Sequence, residues 1–281
     1  MPPELSVVVP SRDGDARLAV HLPRLADAAA ALGVAWEGVV VDDASAAGPP
    51  GADTLPAGFA LLPLAGHEGA AGARNAGARR SRGVWLLFVD DDVELDAAAL
   101  RALWAARRED ACVVPEVRTA DGGLQNALVR TQKLLEPRWV HEPEPVAEVD
   151  YPLGACLLVP RALFERAGGF DRRFRPNYFE DTAFGEALRR TGARTLMVAG
   201  AVARHFEPAA AERSRRQKAA ISANRWRYVF HYTRGGRRAG AIALAPLRVA
   251  RESVATRSLL PLAGLARALA SELPLRRPAA R

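Results

Sequence analysis

Residues 83–92 read Gly-Val-Trp-Leu-Leu-Phe-Val-Asp-Asp-Asp. An unbroken apolar run ends in three adjacent carboxylates. The run has the length of a strand buried on both faces. The aspartates would then stand at its C-terminal end, the rim where open α/β sheets bind ligands. Neighbouring anions repel, so the cluster is costly without a cation beside it, and hard divalent cations prefer carboxylate oxygen. Capping of the next helix is the plainer role. Asp96 fills it better, standing directly before Ala97-Ala98-Ala99-Leu100. Asp90, Asp91 and Asp92 are therefore read as ligand or metal residues.

Outward from this stretch, the first half of the chain alternates strand and helix patterns. Buried strands are expected over 5–9 and 36–41, the second ending in Asp42-Asp43, with a short third over 59–64. Helices are expected over 18–32, 73–80 and 97–108, and Pro- and Gly-rich loops over 48–58 and 66–72. Such alternation calls for a parallel sheet. Beyond residue 110 the pattern changes. Strands are expected over 112–117, 151–159, 195–198 and 202–206, and irregular chain over 125–145. A short helix over 160–167 would be stopped by Gly168-Gly169, and a helix over 181–191 by Gly192. A long helix over 212–232 is basic at first and aromatic at its end.

The chain has 281 residues, 49% of them hydrophobic, ample for one large α/β domain with an appendage. Cys112 and Cys156 both sit in apolar runs and read as reduced core residues, not as a disulfide. The net charge of +7 is uneven. Residues 234–281 carry ten arginines against Glu252 and Glu272, which leaves the rest close to neutral. The basic character therefore speaks of a surface partner for the tail rather than of the site. The chain opens directly on a strand pattern, and no apolar run reaches the roughly 18–20 residues needed to span a bilayer. A cytoplasmic location is expected, with the inner face of the plasma membrane open to the tail. Two apolar helical patterns, 239–247 and 258–270, would either lie on an anionic membrane or pack on the domain. Nucleic-acid binding is not expected, since no recognised motif accompanies the arginines.

Two strands thus end in carboxylates, and between them lies a glycine-rich segment leading to Arg74 and Asn75. Acids for a ribose or a cation and an arginine for phosphate suit a nucleoside-diphosphate site. No Gly-x-Gly-x-x-Gly follows the first strand and no Gly-Lys-Ser/Thr loop occurs, which argues against dinucleotide dehydrogenases and P-loop enzymes. Glu180-Asp181 opens a helix, where acids also serve as caps. A lone histidine such as His205, ending an apolar segment, is more often structural than a ligand.

Six segments occur in order: Val-Val-Val-Pro-Ser-Arg (7–12), Val-Val-Val-Asp-Asp-Ala-Ser (39–45), Gly-Ala-Arg-Asn-Ala-Gly (72–77), the 83–92 stretch, Gly-Gly-Phe-Asp (168–171) with Phe174, and Phe-Glu-Asp (179–181) with Leu188-Arg189. Together they resemble the family 2 glycosyltransferases, inverting enzymes with the GT-A fold. The resemblance covers about residues 5–232. It implies a Rossmann-like, mostly parallel central sheet flanked by helices. Residues 1–232 would be the catalytic domain, with a nucleotide-binding half over 1–110 and an acceptor-binding half over 111–232. Residues 233–281 would be a basic helical extension.

By the same resemblance, Pro10, Arg12 and Asp43 would line the base and ribose pocket, and Arg74 would meet the base or the diphosphate. Asp90, Asp91 and Asp92 would be the Asp-x-Asp motif. Asp92 would ligate Mn²⁺ or Mg²⁺ directly, and Asp90 and Asp91 would hold ribose or metal-bound water. Asp181 would be the general base, with Glu180 as its neighbour or an acceptor contact, and His205 becomes a metal ligand. The implied donor is a nucleotide-diphosphate sugar, UDP- or dTDP-linked. The implied acceptor is a glycan, a lipid-linked molecule or a small molecule. Ser11-Arg12-Asp13 departs from the residues usual after Pro10 and leaves the base open. The Gln-x-x-Arg-Trp motif of processive synthases is missing, which favours single transfers. A catalytically silent nucleotide-sugar binder and a sugar nucleotidyltransferase are the competing readings. The intact carboxylates oppose the first, and the lack of a Gly-rich, Arg-containing signature over 7–14 opposes the second.

Overall fold

The computed structural model describes residues 2–51, 55–123, 130–131, 137–138, 146–206, 214–233, 235–256 and 258–272. They form two compact units. The first comprises Met1–Arg173 with Glu180–Glu207, and the second Phe174–Phe179 with Pro208–Arg281.

The first unit is built on one sheet. Strands β1 (Leu5–Ser11), β2 (Trp36–Asp42), β3 (Phe59–Pro63) and β4 (Trp85–Val89) lie in the order β3-β2-β1-β4, all parallel. They are connected through helices α1 (Asp15–Ala30) and α2 (Gly69–Arg80). Strand β5 (Val93–Leu95) and helix α3 (Ala97–Ala105) follow, then β6 (Ala111–Thr119). After the two-residue pair β7 (Arg130–Thr131) and β8 (Pro137–Arg138) come β9 (Val146–Val149) and β10 (Cys156–Pro160). Helices α4 (Arg161–Arg166) and α5 (Glu180–Arg190) then lead to β11 (Arg194–His205).

The parallel sheet expected from the first half holds for β1–β4. Beyond it, β10 runs antiparallel between β4 and β6, and β5 and β9 pair antiparallel with β11. The central sheet is therefore mixed α/β. Among the described residues, only β6 and β11 pair parallel in its second half.

The apolar run of β4 reads as it does because both its faces are covered. Leu87 and Val89 join Val7, Val9, Leu22 and Leu100 in the core beneath α1 and α3. Leu86 and Phe88 join Val8, Val41, Phe164 and Phe184 on the opposite side. The side-chain period of two splits each strand between two cores, so a strand buried on both faces looks continuously apolar. Cys156 lies in the first core and Cys112 in the second, both buried as free thiols.

Several boundaries differ from the sequence reading. The segment over 66–72 is not all loop, because α2 begins at Gly69. Its glycines serve close packing: a Cβ on Gly77 would lie 2.3 Å from Val8 Cγ1. The two strands expected over 195–206 are one strand, bulged between Val198 and Val202, where the Gly200 amide donates to Glu116 Oε1 at 3.0 Å. The strand expected from 151 begins at Cys156 because 151–155 forms the approach to the rim. Strands β5 and β9 have no distinct sequence signal, being short pieces held by their partner β11. Most of the irregular 125–145 segment lies outside the described residues.

The second unit consists of α6 (Arg215–Tyr232), α7 (Gly235–Ala243), α8 (Ala245–Thr256) and α9 (Leu260–Glu272), together with the 174–179 segment. Ser214 caps α6 in a reciprocal box with Gln217. The buried Asn224 amide donates to the carbonyls of Asn177 (2.8 Å) and Tyr178 (3.0 Å). Phe174 and Phe179 pack on Tyr232 and Tyr228. The tail carries three helices where two were expected, and packing groups α6 with them. Among the described residues no helix is long and apolar enough to cross a membrane.

The fold makes a direct prediction. Gly77→Ala forces a methyl into the branched side chain of Val8, whereas a Cβ on Gly66 meets nothing within 4 Å. Gly77→Ala should cost about 1–3 kcal/mol of unfolding free energy, and Gly66→Ala should lie within about 0.5 kcal/mol of wild type. Urea denaturation of both variants checks this; equal midpoints would contradict the packing of α2 on β1.

Candidate active site

Strand β4 delivers Asp90 to the rim of the sheet, where its amide donates to the Ala155 carbonyl at 2.9 Å. Arg74, on α2, is 2% exposed and lies between two acids. Its Nη2 donates to Asp90 Oδ1 at 2.6 Å and its Nη1 to Glu180 Oε1 at 3.0 Å. The guanidinium also lies over the Phe170 ring, 5.3 Å from its centroid. The next residue, Asn75, grips the backbone of Phe170. Its Nδ2 donates to the Phe170 carbonyl (2.7 Å) and its Oδ1 accepts from the Phe170 amide (2.9 Å). This clamp gives Gly-Gly-Phe-Asp a physical meaning. Gly168 and Gly169 both have positive φ, and a Cβ on Gly169 would lie 2.8 Å from Asn75 Oδ1.

Glu180 and Asp181 begin α5 directly after Tyr178 and Phe179, which both have positive φ, a costly conformation for non-glycine residues. Asp181 Oδ1 accepts from the Thr182 amide at 2.6 Å, and Oδ2 accepts from the Gly154 amide at 3.3 Å. Burial pushes the Asp181 carboxyl above the ordinary carboxylate range, against the pull of those amides and of Arg74. Burial and the neighbouring Asp181 charge push Glu180 upward too, opposed by Arg74. Glu180 Oε2 and Arg74 Nε are buried without a hydrogen-bond partner.

The three rim aspartates diverge. Asp91 turns back beneath β1, where it accepts from Ser11 Oγ (2.5 Å) and from Arg17 Nε and Nη2 (3.0 Å each). Gly14 makes room for it, since a Cβ there would lie 2.1 Å from Asp91 Oδ2. Asp92 lies 3.2 Å from His205 Nε2. The β5–β11 ladder brings them together: His205 is the register partner of Val93, and the Phe206 amide donates to the Asp92 carbonyl at 2.9 Å. Burial would raise the Asp92 carboxyl, but the His205 hydrogen bond and charge outweigh it, and the net shift is downward. Asp90 is shifted up by burial despite Arg74.

Asp90, Asp92 and His205 offer ligand atoms that all lie within 4.8 Å of one another. Two carboxylates and an imidazole fit a hard or borderline divalent cation. Asp91 is not part of this group. Arg74 is enclosed between the carboxylates of Asp90 and Glu180. Asp43 is 4% exposed and already engaged: its oxygens accept from the Glu68 amide (2.5 Å) and the Gly69 amide (2.8 Å) at the head of α2, and it pairs with His67 Nδ1 at 2.7 Å. Pro10 is buried in β1 beside Val41, and Arg12 is exposed, 3.8 Å from Asp13. Sequence reasoning assigned no role to Gly154, Asn75, Arg17 or His67. Only the Arg-Asn pair, inside a segment quoted for its resemblance, carried a signal that would have marked one of them.

The family model of glycosyl transferase family 2 matches residues 6–149, just over half the chain. Asp90–Asp92 lie inside the matched segment; Glu180, Asp181 and His205 lie beyond it. An N-acetylglucosaminyl-diphospho-decaprenol L-rhamnosyltransferase of Mycobacterium tuberculosis is 28% identical over 145 residues, covering 44% of this chain and 47% of the relative. The chain thus spans about half the length of the curated relatives it matches. Among solved structures, GalNAc-T7 with UDP, GalNAc and Mn²⁺ superposes with a TM-score of 0.62 at 16% identity, covering 81% of this chain and 48% of that one. The mannosyltransferase PcManGT of Pyrobaculum calidifontis, in complex with GDP-Man and Mn²⁺, gives 0.59 at 16% identity, covering 97% and 88%. S. aureus TarS 1–349 in complex with UDP-GlcNAc gives 0.56 at 17% identity, covering 83% and 68%. At these identities the likeness establishes the fold, which is GT-A.

The divergence of Asp91 and Asp92 predicts two different phenotypes. Asp91→Ala leaves Arg17 and Ser11 without their acceptor and should cost about 1–3 kcal/mol, less than a fully buried pair because Arg17 reaches water. Asp92→Ala should fold normally, and saturating Mn²⁺ should raise the Tm of the wild type but not that of the variant. Thermal denaturation with and without Mn²⁺ separates the two; an Asp92→Ala variant still stabilised by Mn²⁺ would contradict the ligand assignment.

Proposed function

The chain belongs to glycosyl transferase family 2, and we propose from that premise that it transfers a sugar from a nucleoside-diphosphate sugar to an acceptor hydroxyl, with inversion at the anomeric carbon. The convergence of Asp90, Asp92 and His205 at the rim of the sheet carries this reading. The paired acids at the head of α5, joined to Asp90 by Arg74, support it.

In this reading Asp92 and His205, with Asp90, hold Mn²⁺ or Mg²⁺. A divalent cation there supplies charge neutralisation to the diphosphate and so makes it a better leaving group. Asp181 is the general base. The acceptor oxygen forms its bond to the anomeric carbon as the bond from that carbon to the diphosphate oxygen breaks, and the electron pair leaves with the nucleotide. The acceptor proton passes to Asp181. No protein nucleophile is needed, and a single displacement inverts the centre. The raised pKa of Asp181 suits a base better than an ordinary carboxylate does. Asp181 is also fixed by the Thr182 and Gly154 amides, which set its direction.

Glu180 and Arg74 act as positioning residues. The guanidinium holds Glu180 on one side and Asp90 on the other, so the base-bearing helix and the cation-binding rim keep their spacing. Pro10, Arg12 and Asp43 remain proposed for the base and ribose side. Asp43 would work there by holding the head of α2 and His67. The donor is proposed to be a UDP- or dTDP-sugar. The mycobacterial relative's name describes a decaprenol-linked acceptor. With the basic tail, this favours a lipid-linked acceptor at the inner face of the plasma membrane over a small soluble one.

Asp181→Asn tests the chemistry. Turnover of the nucleotide sugar to free nucleotide, with sugar transferred, should fall by about 10²–10⁴, while UDP with Mn²⁺ stabilises the variant as it does the wild type. Wild-type rates in the variant would remove the base assignment. The pH profile is a second check. The base works deprotonated and its pKa is raised, so activity should fall as pH is lowered through a value above the ordinary carboxylate range of about 3.9. An acid limb at or below that range would contradict Asp181 as the base.

A further inference from the structure

Seven of the eleven large apolar side chains exposed among the described residues lie between 242 and 269, in the second unit. Their placement on each helix is ordered. On α9, Pro261, Gly264 and Ala268 are buried at the spacing of one helical face. That face is fixed against α6: the Pro261 carbonyl accepts from Ser222 Oγ at 3.4 Å, and a Cβ on Gly264 would lie 2.3 Å from the same oxygen. The flank of that face carries Leu262 (50% exposed) and Leu269 (41%), one heptad apart, with exposed Ala266 beside them. Leu259, 73% exposed, directly precedes the helix.

Helix α8 repeats the arrangement. Ala245 and Val249 are buried, and Leu247 (69% exposed) and Val254 (78%) stand a heptad apart on the other side. A helix facing water carries polar residues at such positions, and an apolar patch of this kind marks an interaction surface. Among the described side chains the exposed charges of α8 and α9 are basic: Arg251 falls on the same face as Leu247 and Val254, and Arg267 is exposed on another side of α9. They belong to a segment with ten arginines and two acids.

We propose that the outward faces of α8 and α9 dock on the surface of an anionic bilayer, with the leucines and valine entering the interface and the arginines meeting lipid phosphates. A protein groove would account for the leucines without the one-signed charge, and a nucleic acid for the arginines without the leucines. An anionic leaflet satisfies both. The inference deepens the reading of a lipid-linked acceptor and rests on it. An enzyme held at the leaflet meets such an acceptor without extracting it.

The test uses the full chain and flotation with vesicles of phosphatidylcholine alone or mixed with phosphatidylglycerol. The wild type should float with the mixed vesicles, stay behind with phosphatidylcholine, and release as salt is raised. The double variants Leu247→Gln/Val254→Gln and Leu262→Gln/Leu269→Gln change exposed side chains, so Tm should not move. Binding of each to mixed vesicles should fall roughly tenfold or more. Arg251→Glu/Arg267→Glu should abolish the preference for phosphatidylglycerol. Wild-type binding by the glutamine variants would overturn the proposal. So would a wild-type dimer that they convert to monomer without any vesicle binding, since a second copy would then cover this face. The stabilisation by UDP with Mn²⁺ reports separately on the catalytic reading. It should persist in every variant here, and its absence in the wild type alongside normal flotation would fault that reading and not this surface.

Discussion

A guanidinium buried between two carboxylates holds this site together. Arg74 is almost fully withdrawn from water, and a buried cation is tolerated only where anions meet it in good geometry. It receives Asp90 from the end of β4 and Glu180 from the start of α5. The pairing therefore ties the rim of the parallel strands to a helix far along the chain. The same helix turn presents Asn75, whose two-point hold on Phe170 places an aromatic face beneath the guanidinium. Small residues elsewhere in α2 let the helix settle against β1 and β2, close enough for both side chains to reach their partners. Helix packing and site electrostatics are thus one constraint in this region.

A second tie runs through the sheet itself. Strand β11 follows β6 in parallel, bulges at Gly200, and continues until it meets the short β5 in antiparallel register. That last contact brings His205 to Asp92. The bulge is what lets one strand do both jobs. With it, the histidine arrives at the same rim as β4 from the opposite end of the sheet. The proposed cation site depends on this ladder as much as on the aspartates.

How much of this could be read from the residues differs by element. The strands β1, β2 and β4 declare themselves because both faces are buried, and the Asp96 cap because its hydrogen bond to the Ala99 amide is local. Gly168-Gly169 and Gly192 end their helices with positive φ, also a local requirement. Strands β5 and β9 were illegible because nothing in three or four residues distinguishes a strand from a loop until a partner supplies the hydrogen bonds. The bulge at Gly200 was read as a break for the same reason. At the site, the residue types at the rim were legible, but their directions were not. That Asp91 faces away from Asp92 follows from Arg17, Ser11 and the absent Cβ of Gly14, all distant in sequence from it.

Those directions change an argument. Three adjacent anions suggested that a bound cation must relieve their repulsion. The fold relieves most of it with its own groups: Arg74 takes Asp90 and Arg17 takes Asp91, while His205 lies 3.2 Å from Asp92. Repulsion alone therefore no longer calls for a metal. What supports one is narrower. Of these three partners, the two arginines cannot ligate a cation, whereas a neutral imidazole can. The pair best able to exchange its mutual hydrogen bond for a divalent ion is thus the one at the edge of the cluster, with Asp90 steadied by Arg74 as the third donor. The cluster then divides its labour by partner: one aspartate braces the first strand, one ties the rim to α5, and one pairs with the histidine at the edge where the ion is proposed to bind.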